Sequence, residues 1–120
     1  MKVAVVGLGS MGSGMAGALI RAGHAVQGMG VNPEAVARLA GQGAVDHVAS
    51  DLDAAMVVVL NAAQAEAVMF GARGLVPRMR PGAVVVCCVT VAPDFARRME
   101  ARCAEAGVHY LDAPISGGSV

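Results

Sequence analysis

Residues 2–23 read KVAVVGLGSMGSGMAGALIRAG, and they carry the strongest indication of the fold. Residues 2–6 form a short β-branched and apolar run that stops at Gly7, which is typical of a strand buried on both faces. Residues 10–22 contain no proline and end against Gly23, as a helix with a glycine stop does. The sequence therefore predicts a strand that leads through a glycine-rich turn directly into a helix.

That turn is a GxGxxG sequence in the context that a dinucleotide-binding fingerprint requires. Gly7 permits the tight turn, Gly9 leaves room for a pyrophosphate, and Gly12 lets helix and strand pack closely. Free backbone N–H groups and the helix dipole attract phosphate. The Met11 side chain either covers a cofactor or belongs to the core. The predicted cofactor-binding residues of the turn are Gly7, Leu8, Gly9, Ser10, Met11 and Gly12.

Other readings of the glycine turn stay open at this point. It can be a turn kept for packing alone, or it can serve a flavin or S-adenosylmethionine. A P-loop nucleotide hydrolase is not supported, because the chain contains no GxxxxGK[ST].

The remaining sequence alternates between strand and helix patterns. Strands are predicted at 25–29, 44–48, 56–60, 83–89 and 108–111, and helices at 33–40, 63–70 and 93–106. Ser50-Asp51 predicts a brief helical turn, with Asp51 and Asp53 as a helix-start pair, and Pro81-Gly82 predicts a turn. This alternation predicts an α/β fold, a Rossmann-type doubly wound parallel sheet of order 3-2-1-4-5-6, with ligands at the carboxyl ends of the strands.

Length, composition and charge limit the number of domains and the kinds of ligand that the chain is expected to bind. The chain has 120 residues, 56% hydrophobic and 15% charged, which predicts one domain. Nine basic residues balance nine acidic ones without clustering, so neither nucleic acid nor an anionic membrane is an expected partner. The longest apolar runs, 54–60 and 83–91, are about half the ~20 residues of a bilayer span. We expect a cytoplasmic protein that binds a small molecule.

The cysteines and histidines show no spacing that predicts a metal site or a catalytic triad. Cys87, Cys88 and Cys103 lack the pairs of a zinc site and are predicted to be buried apolar residues in a reducing compartment. His24, His47 and His109 are far apart and are predicted to have solvent or structural roles.

The stretch that should select the cofactor is Gly28-Met29-Gly30-Val31-Asn32. An NAD site usually places Asp or Glu here, ~20 residues past the glycine loop, to hold the ribose hydroxyls. No carboxylate and no arginine stands there. Asn32 either donates to a ribose or phosphate oxygen or caps the following helix. NAD and NADP both remain open as the cofactor.

The end of the chain, Asp112-Ala-Pro-Ile-Ser-Gly-Gly118, resembles the substrate-binding signature of the 3-hydroxyisobutyrate dehydrogenase (β-hydroxyacid dehydrogenase) family. With the glycine loop, Thr90 and Pro93, the resemblance to that family's N-terminal NAD(P)-binding domain extends over essentially the whole chain. Residues 61–66, Asn-Ala-Ala-Gln-Ala-Glu, further resemble the L-threonate dehydrogenase branch.

The resemblance implies an oxidoreductase that oxidises an alcohol β to a carboxylate and passes hydride to nicotinamide. It implies that Thr90 and the Asn61-Ala62 turn contact the nicotinamide-ribose side of the cofactor. It also implies that the substrate carboxylate is held by Ser116, Gly117 and Gly118.

Two departures from the family pattern bear on activity. Val89 stands where the family commonly has Ser, so one polar contact is expected to be lost. The family's proton-transfer lysine lies in a later segment, and the only lysine here is Lys2, in the first strand.

We therefore expect residues 1–120 to be one NAD(P)-binding domain, cut just after the substrate-binding motif. The second, helical domain that makes the parent enzyme a homo-oligomer would be absent. The chain would hold no catalytic residue and be inactive alone. A non-enzymatic dinucleotide-binding or sensing module is the alternative, and a truncated domain that binds nothing is the third possibility.

Overall fold

The computed structural model describes residues 1–7, 9–29, 33–43, 51–72 and 74–114. Its strands are β1 (Lys2–Val6), β2 (Ala25–Met29), β3 (Leu52–Val57), β4 (Met79–Cys87) and β5 (His109–Asp112). Its helices are α1 (Ser10–Arg21), α2 (Pro33–Gly41), α3 (Ala62–Phe70) and α4 (Pro93–Glu105), with a short 3-10 turn at Val76–Arg78.

The strands of the described chain form a single parallel sheet in the order β2-β1-β3-β4-β5. The predicted strand at 44–48 lies outside the described residues. The other five predicted strands stand in the predicted order, with the first strand in the interior and the chain winding outward on both sides. The Rossmann-type α/β fold is therefore confirmed.

Helices cover the sheet on both faces. Alternate residues of each strand point to opposite sides, so each strand contributes side chains to two separate cores. Ala4 and Val6 of β1 belong to the larger core, to which α3 and α4 contribute Met69 and Met99. Val3 and Val5 belong to the smaller core under α1 and α2. The continuous apolar character of β1 follows from this double burial.

The predicted start of β3 is wrong. The strand begins at Leu52 and not at residue 56, so Asp53 lies in a strand and not in the first turn of a helix. Its carboxylate accepts the backbone N–H of Lys2 at 2.7 Å and pairs with the Arg80 guanidinium. These contacts hold the pKa of Asp53 below its ordinary value. The partners of the carboxylate are thus Arg80 and Lys2, and not the start of a helix as the sequence predicted.

The predicted turn at Pro81-Gly82 is also wrong, because both residues lie within β4. They sit at an irregularity of the β3–β4 register, where the pairing passes from Leu52 opposite Met79 to Ala54 opposite Val84. Proline is tolerated in a strand at such a bulge. The helix stops at Gly23 and Gly107 are confirmed, with φ of +94° and +74°.

The three cysteines are free and buried, as predicted. Burial raises the pKa of the Cys103 thiol to about 11, which keeps it protonated and unreactive. Within the described ranges, no helix is long and apolar enough to cross a membrane. The same part of the chain contains no group of three or more His, Cys, Asp or Glu side chains that could hold a metal ion.

Candidate functional site

The carboxyl ends of the five strands meet along one edge of the sheet because the strands are parallel. Backbone hydrogen bonds tie each strand end to the loop after a neighbouring strand. They run from the N–H of Gly7 to the carbonyl of Met29 (2.7 Å), Val58 to Val6 (2.8 Å), Cys88 to Val57 (2.9 Å) and Ala113 to Cys87 (2.9 Å). The loops at this edge therefore start from fixed positions beside one another.

Gly7 and Gly12 are required by the close approach of backbone to backbone. Gly7 has φ +97°, and a Cβ on it would lie 2.0 Å from the carbonyl oxygen of Val58. A Cβ on Gly12 would lie 1.7 Å from the carbonyl oxygen of Gly7. The glycine-rich turn thus packs directly against the segment that follows β3, and the first helical turn of α1 packs directly against the glycine-rich turn.

Gly9 is in the opposite situation. Its backbone is extended (φ −71°, ψ −168°), and a Cβ there would have no heavy atom of the described part of the chain within 4 Å. Space beside Gly9 is therefore open, as the passage of a pyrophosphate past this residue requires.

Helix α1 begins directly after Gly9 with nothing anionic at its start. No side chain caps it, and its first turn holds no acidic residue. The first N–H groups of a helix have no carbonyl partner within it, and they carry the positive end of its dipole. An open space beside an uncapped helix start fits the phosphates of a dinucleotide.

Asn61 caps helix α3 at the end of the segment after β3. Its Oδ1 accepts the N–H of Gln64 at 2.9 Å, while Gln64 Oε1 accepts the N–H of Leu60 at 2.8 Å. This reciprocal arrangement resembles a capping box and fixes the backbone of residues 60–64. The Asn61 oxygen is thereby committed to the helix. Ala62, the other predicted contact here, is half-buried and packs against the larger core.

Leu60 is an apolar residue at this edge that the sequence interpretation missed. The predicted strand ran to residue 60 and made Leu60 part of the core, but β3 ends at Val57 and the Leu60 side chain is 87% exposed. A signal for this was present in the sequence. Asn61 is a favourable N-cap residue, and it marks the start of a helix directly after Leu60.

Thr90 lies in the segment between β4 and α4 with an exposed side chain, at the edge where it was expected. Its neighbour Val89 is buried, only 4% exposed, and belongs to the larger core. The side chain at position 89 therefore packs inward, and the departure at Val89 removes no polar group from the open edge.

The other predicted site residues are placed as follows. Met11 is half-buried in the first turn of α1, and α1 begins at Ser10. Leu8, Asn32, Ser116, Gly117 and Gly118 lie outside the described residues, as does His47. The structure thus brings the glycine turn next to the start of the segment 58–61, through Gly7 and Val58.

The remaining described histidines lie away from this edge. His24 precedes β2, with Nδ1 at 3.3 Å from the amino group of Met1, and His109 begins β5 with an exposed side chain. The Asp53–Arg80 pair likewise lies at the amino ends of the strands.

A parallel sheet whose first strand passes through a GxGxxG turn into an uncapped helix defines a dinucleotide-binding Rossmann domain. The chain belongs to the family described as the NAD binding domain of 6-phosphogluconate dehydrogenase, which matches residues 2–120. The prediction of a nicotinamide dinucleotide as cofactor is confirmed by this membership.

Individual relatives agree with the resemblance to hydroxyacid dehydrogenases. The L-threonate dehydrogenase of Cupriavidus necator is 43% identical over 98% of this chain and 41% of its own length. The crystal structure of 3-hydroxyisobutyrate dehydrogenase from Salmonella typhimurium has a TM-score of 0.90 and 37% identity over 98% of this chain and 43% of that one. The structure of Psf3 in complex with NADP+ and 2-OPP has a TM-score of 0.77 and 28% identity over 97% of this chain and 43% of that one.

The resemblance to the 3-hydroxyisobutyrate and L-threonate dehydrogenases is thereby confirmed. The chain spans about two fifths of the length of the relatives it matches.

Proposed function

We propose that this chain forms the NAD(P)-binding part of a 3-hydroxyacid dehydrogenase. The observation that carries the proposal is the glycine turn, in which backbone contacts fix Gly7 and Gly12, whereas a Cβ on Gly9 would meet no atom of the described residues within 4 Å. A turn kept for packing needs Gly7 and Gly12 but gives no reason for a glycine at residue 9. The need to leave space for a ligand explains that glycine.

The chain's own backbone holds the cofactor in this proposal. The N–H groups at the start of α1 bind the pyrophosphate, and Gly9 leaves the space that the phosphates fill. Met11 and the exposed Leu60 offer apolar surface to the rings of the cofactor. The backbone of Asn61-Ala62 and the hydroxyl of Thr90 face its nicotinamide-ribose side. When bound, the nicotinamide supplies a hydride acceptor.

The substrate is a small 3-hydroxyacid of the threonate or hydroxyisobutyrate kind. Relatives named for both substrates match nearly the whole chain. Ser116 supplies a hydroxyl, and Gly117 and Gly118 supply backbone N–H groups, which are suitable donors for a carboxylate.

Proton transfer falls outside this chain. Its single lysine, Lys2, begins β1, and its backbone N–H binds Asp53 at the opposite edge of the sheet. The chain alone is therefore expected to bind the cofactor without turning over the substrate. The parent protein, by the same proposal, is a cytoplasmic homo-oligomer without nucleic-acid or membrane partners.

The test compares two proteins: this chain alone, and the chain joined to the further length that its relatives have. Each is mixed with NAD+ or NADP+ and with L-threonate, 3-hydroxyisobutyrate or lactate, and the absorbance of reduced nicotinamide is followed. The longer protein should oxidise at least one of the first two acids and leave lactate, a 2-hydroxyacid, untouched.

Two outcomes contradict the proposal. Turnover by the 120-residue chain would show that it already holds its proton-transfer group. Cofactor binding by the longer protein without oxidation of either acid would favour the non-enzymatic sensing module, which the missing acid near residue 30 also suits.

A further inference from the structure

We propose that one uncovered part of the sheet is the docking surface for a helix from the further length of chain that the relatives of this protein have. This surface, the open sheet face, is formed by Met56, Val84, Val86 and Leu111. The proposal goes beyond cofactor binding and does not depend on the reaction. It rests on the packing of the sheet and on the family to which the chain belongs.

The open sheet face lies on the same side of the sheet as α1 and α2, towards the outer strands. Val5 of β1 pairs with Met56 of β3, Met56 pairs with Val86 of β4, and Val86 pairs with Leu111 of β5. Met56 and Val86 are partly exposed. The exposed fraction of the side chain rises along this row from 0% at Val5 to 53% at Leu111. The cover that α1 and α2 give to the inner strands is thus lost towards β5.

The opposite side of the same strands is closed. In β4, Val85 and Cys87 are fully buried in the larger core, whereas Val84 and Val86 are partly exposed. Among the described residues, neither core includes Val86 or Leu111. Both faces of a parallel sheet are ordinarily covered, because its strands are apolar on both sides. We therefore expect a further element to cover the open sheet face.

The dimensions of the open sheet face fit one helix. β3, β4 and β5 span two strand spacings, about 10 Å, which is the diameter of a helix with its side chains. Val84 and Val86 lie two residues apart in β4, about 7 Å along the strand. Side chains at positions i and i+4 of a helix are about 6 Å apart along its axis, so one helix can contact both valines. The occupant is therefore an amphipathic helix with apolar residues at that spacing.

The handedness of the fold indicates that this helix is not a crossover of the sheet. α3 and α4 connect successive strands outward to β5, and both pack in the larger core. A parallel strand added beside β5 would be reached by the same right-handed crossover, whose helix would lie on the side of α3 and α4. A helix on the open sheet face therefore belongs to a separate unit of the protein.

The relatives have the length that a separate unit needs. The match to the L-threonate dehydrogenase of Cupriavidus necator covers 41% of that protein, so the other 59% lies outside the match. Two copies of this chain packed through the open sheet face would instead bring sheet against sheet, whereas parallel sheets are covered by helices. The further length of chain is therefore the occupant that the surface favours.

The experiment measures how fast Leu111→Cys reacts with a maleimide in this chain and in the chain joined to the further length. The three native cysteines are buried, so the introduced thiol reacts first. We expect it to react at least about a hundredfold more slowly in the longer protein, as a surface that opens about 1% of the time would. Val36→Cys, at an exposed position of α2, is the matched control and should react at the same rate in both proteins.

A second measurement uses the longer protein alone, in case circular dichroism shows that the shorter variant is not folded. Leu111→Gln should lower the Tm by about 4 °C or more, because it places an amide against an apolar helix. Val36→Gln removes an exposed apolar side chain of α2 in the same way and should change the Tm by less than about 2 °C.

Three results would overturn the proposal. They are equal reactivity of Leu111→Cys in the two proteins, equal Tm values for Leu111→Gln and Val36→Gln, and a reaction rate in the shorter chain that falls as its concentration rises. The last result would assign the open sheet face to a second copy. Failure of both proteins to bind a dinucleotide would contradict the proposed function and leave the labelling result unaffected.

Discussion

Replacing Gly12 by alanine should destabilise the domain although alanine is the better helix former. The added Cβ would lie 1.7 Å from the Gly7 carbonyl oxygen, and real Cβ contacts essentially never fall below 3.0 Å. Helix α1 and the glycine turn must therefore separate by more than 1 Å. Overpacking of this kind costs about 1–3 kcal/mol, and a clash with backbone belongs at the upper end. Helix propensity returns only about 1 kcal/mol.

Gly14→Ala is the matched control in the same helix. Among the residues that the structure describes, no heavy atom lies within 4 Å of a Cβ on Gly14, so only the propensity gain of roughly 0.5–1 kcal/mol should remain. Urea unfolding followed by circular dichroism gives both free energies of unfolding. We expect Gly12→Ala to lose about 2 kcal/mol and Gly14→Ala to gain slightly. A Gly12→Ala variant as stable as Gly14→Ala would refute the close approach of α1 to the turn.

Three further substitutions test other parts of the fold. Asp53→Asn removes the ion pair with Arg80. Because the pKa of Asp53 is lowered in the folded state, the pair stabilises the fold at neutral pH, and this stabilisation is lost as the pH falls from about 4 through the folded-state pKa. The substitution should therefore lower the urea midpoint fully at neutral pH and not at all below that pKa. An effect equal at pH 3 and pH 7 would speak against the pair. Met99→Ala opens a cavity under α4, where the side chain is fully buried, and should cost about 2–5 kcal/mol of unfolding free energy, against little change for the exposed Glu100→Ala. Asn61→Ala should cost about 1 kcal/mol through loss of the cap on α3, whereas Asn61→Ser should retain most of it; equal losses would argue against the capping role.

Most elements were predictable because the signals that mark them are local, and their alternation then predicted the strand order. Short apolar runs, glycine stops at Gly23 and Gly107, and proline at the first position of α4 each mark an element within a few residues. The start of β3 was not predictable in this way. Asp53 is satisfied by the backbone N–H of Lys2, 51 residues away, and only the pairing of β1 with β3 brings that donor near.

The features of the candidate site also differ in how far the sequence predicts them. The roles of Gly7 and Gly12 followed from the motif, because the need for glycine comes from backbone passing backbone at a turn that the motif specifies. The exposure of Leu60 depends on where β3 ends relative to its neighbours, which the apolar run Met-Val-Val-Val-Leu does not show. The inward direction of Val89 likewise depends on the packing of the larger core.

The binding of NADH by Gly9→Asp tests whether the phosphates of the cofactor lie beside Gly9. An extended Gly9 at the start of α1 suits an N-cap, and its Cβ position is open, so the aspartate should keep or slightly raise the free energy of unfolding. Its carboxylate would occupy the phosphate site, so calorimetric titration should show NADH affinity reduced by about a hundredfold or more, roughly 3 kcal/mol. Retained stability with lost binding would place the pyrophosphate at Gly9. A folded Gly9→Asp chain that binds NADH as tightly as the unaltered chain would contradict the account.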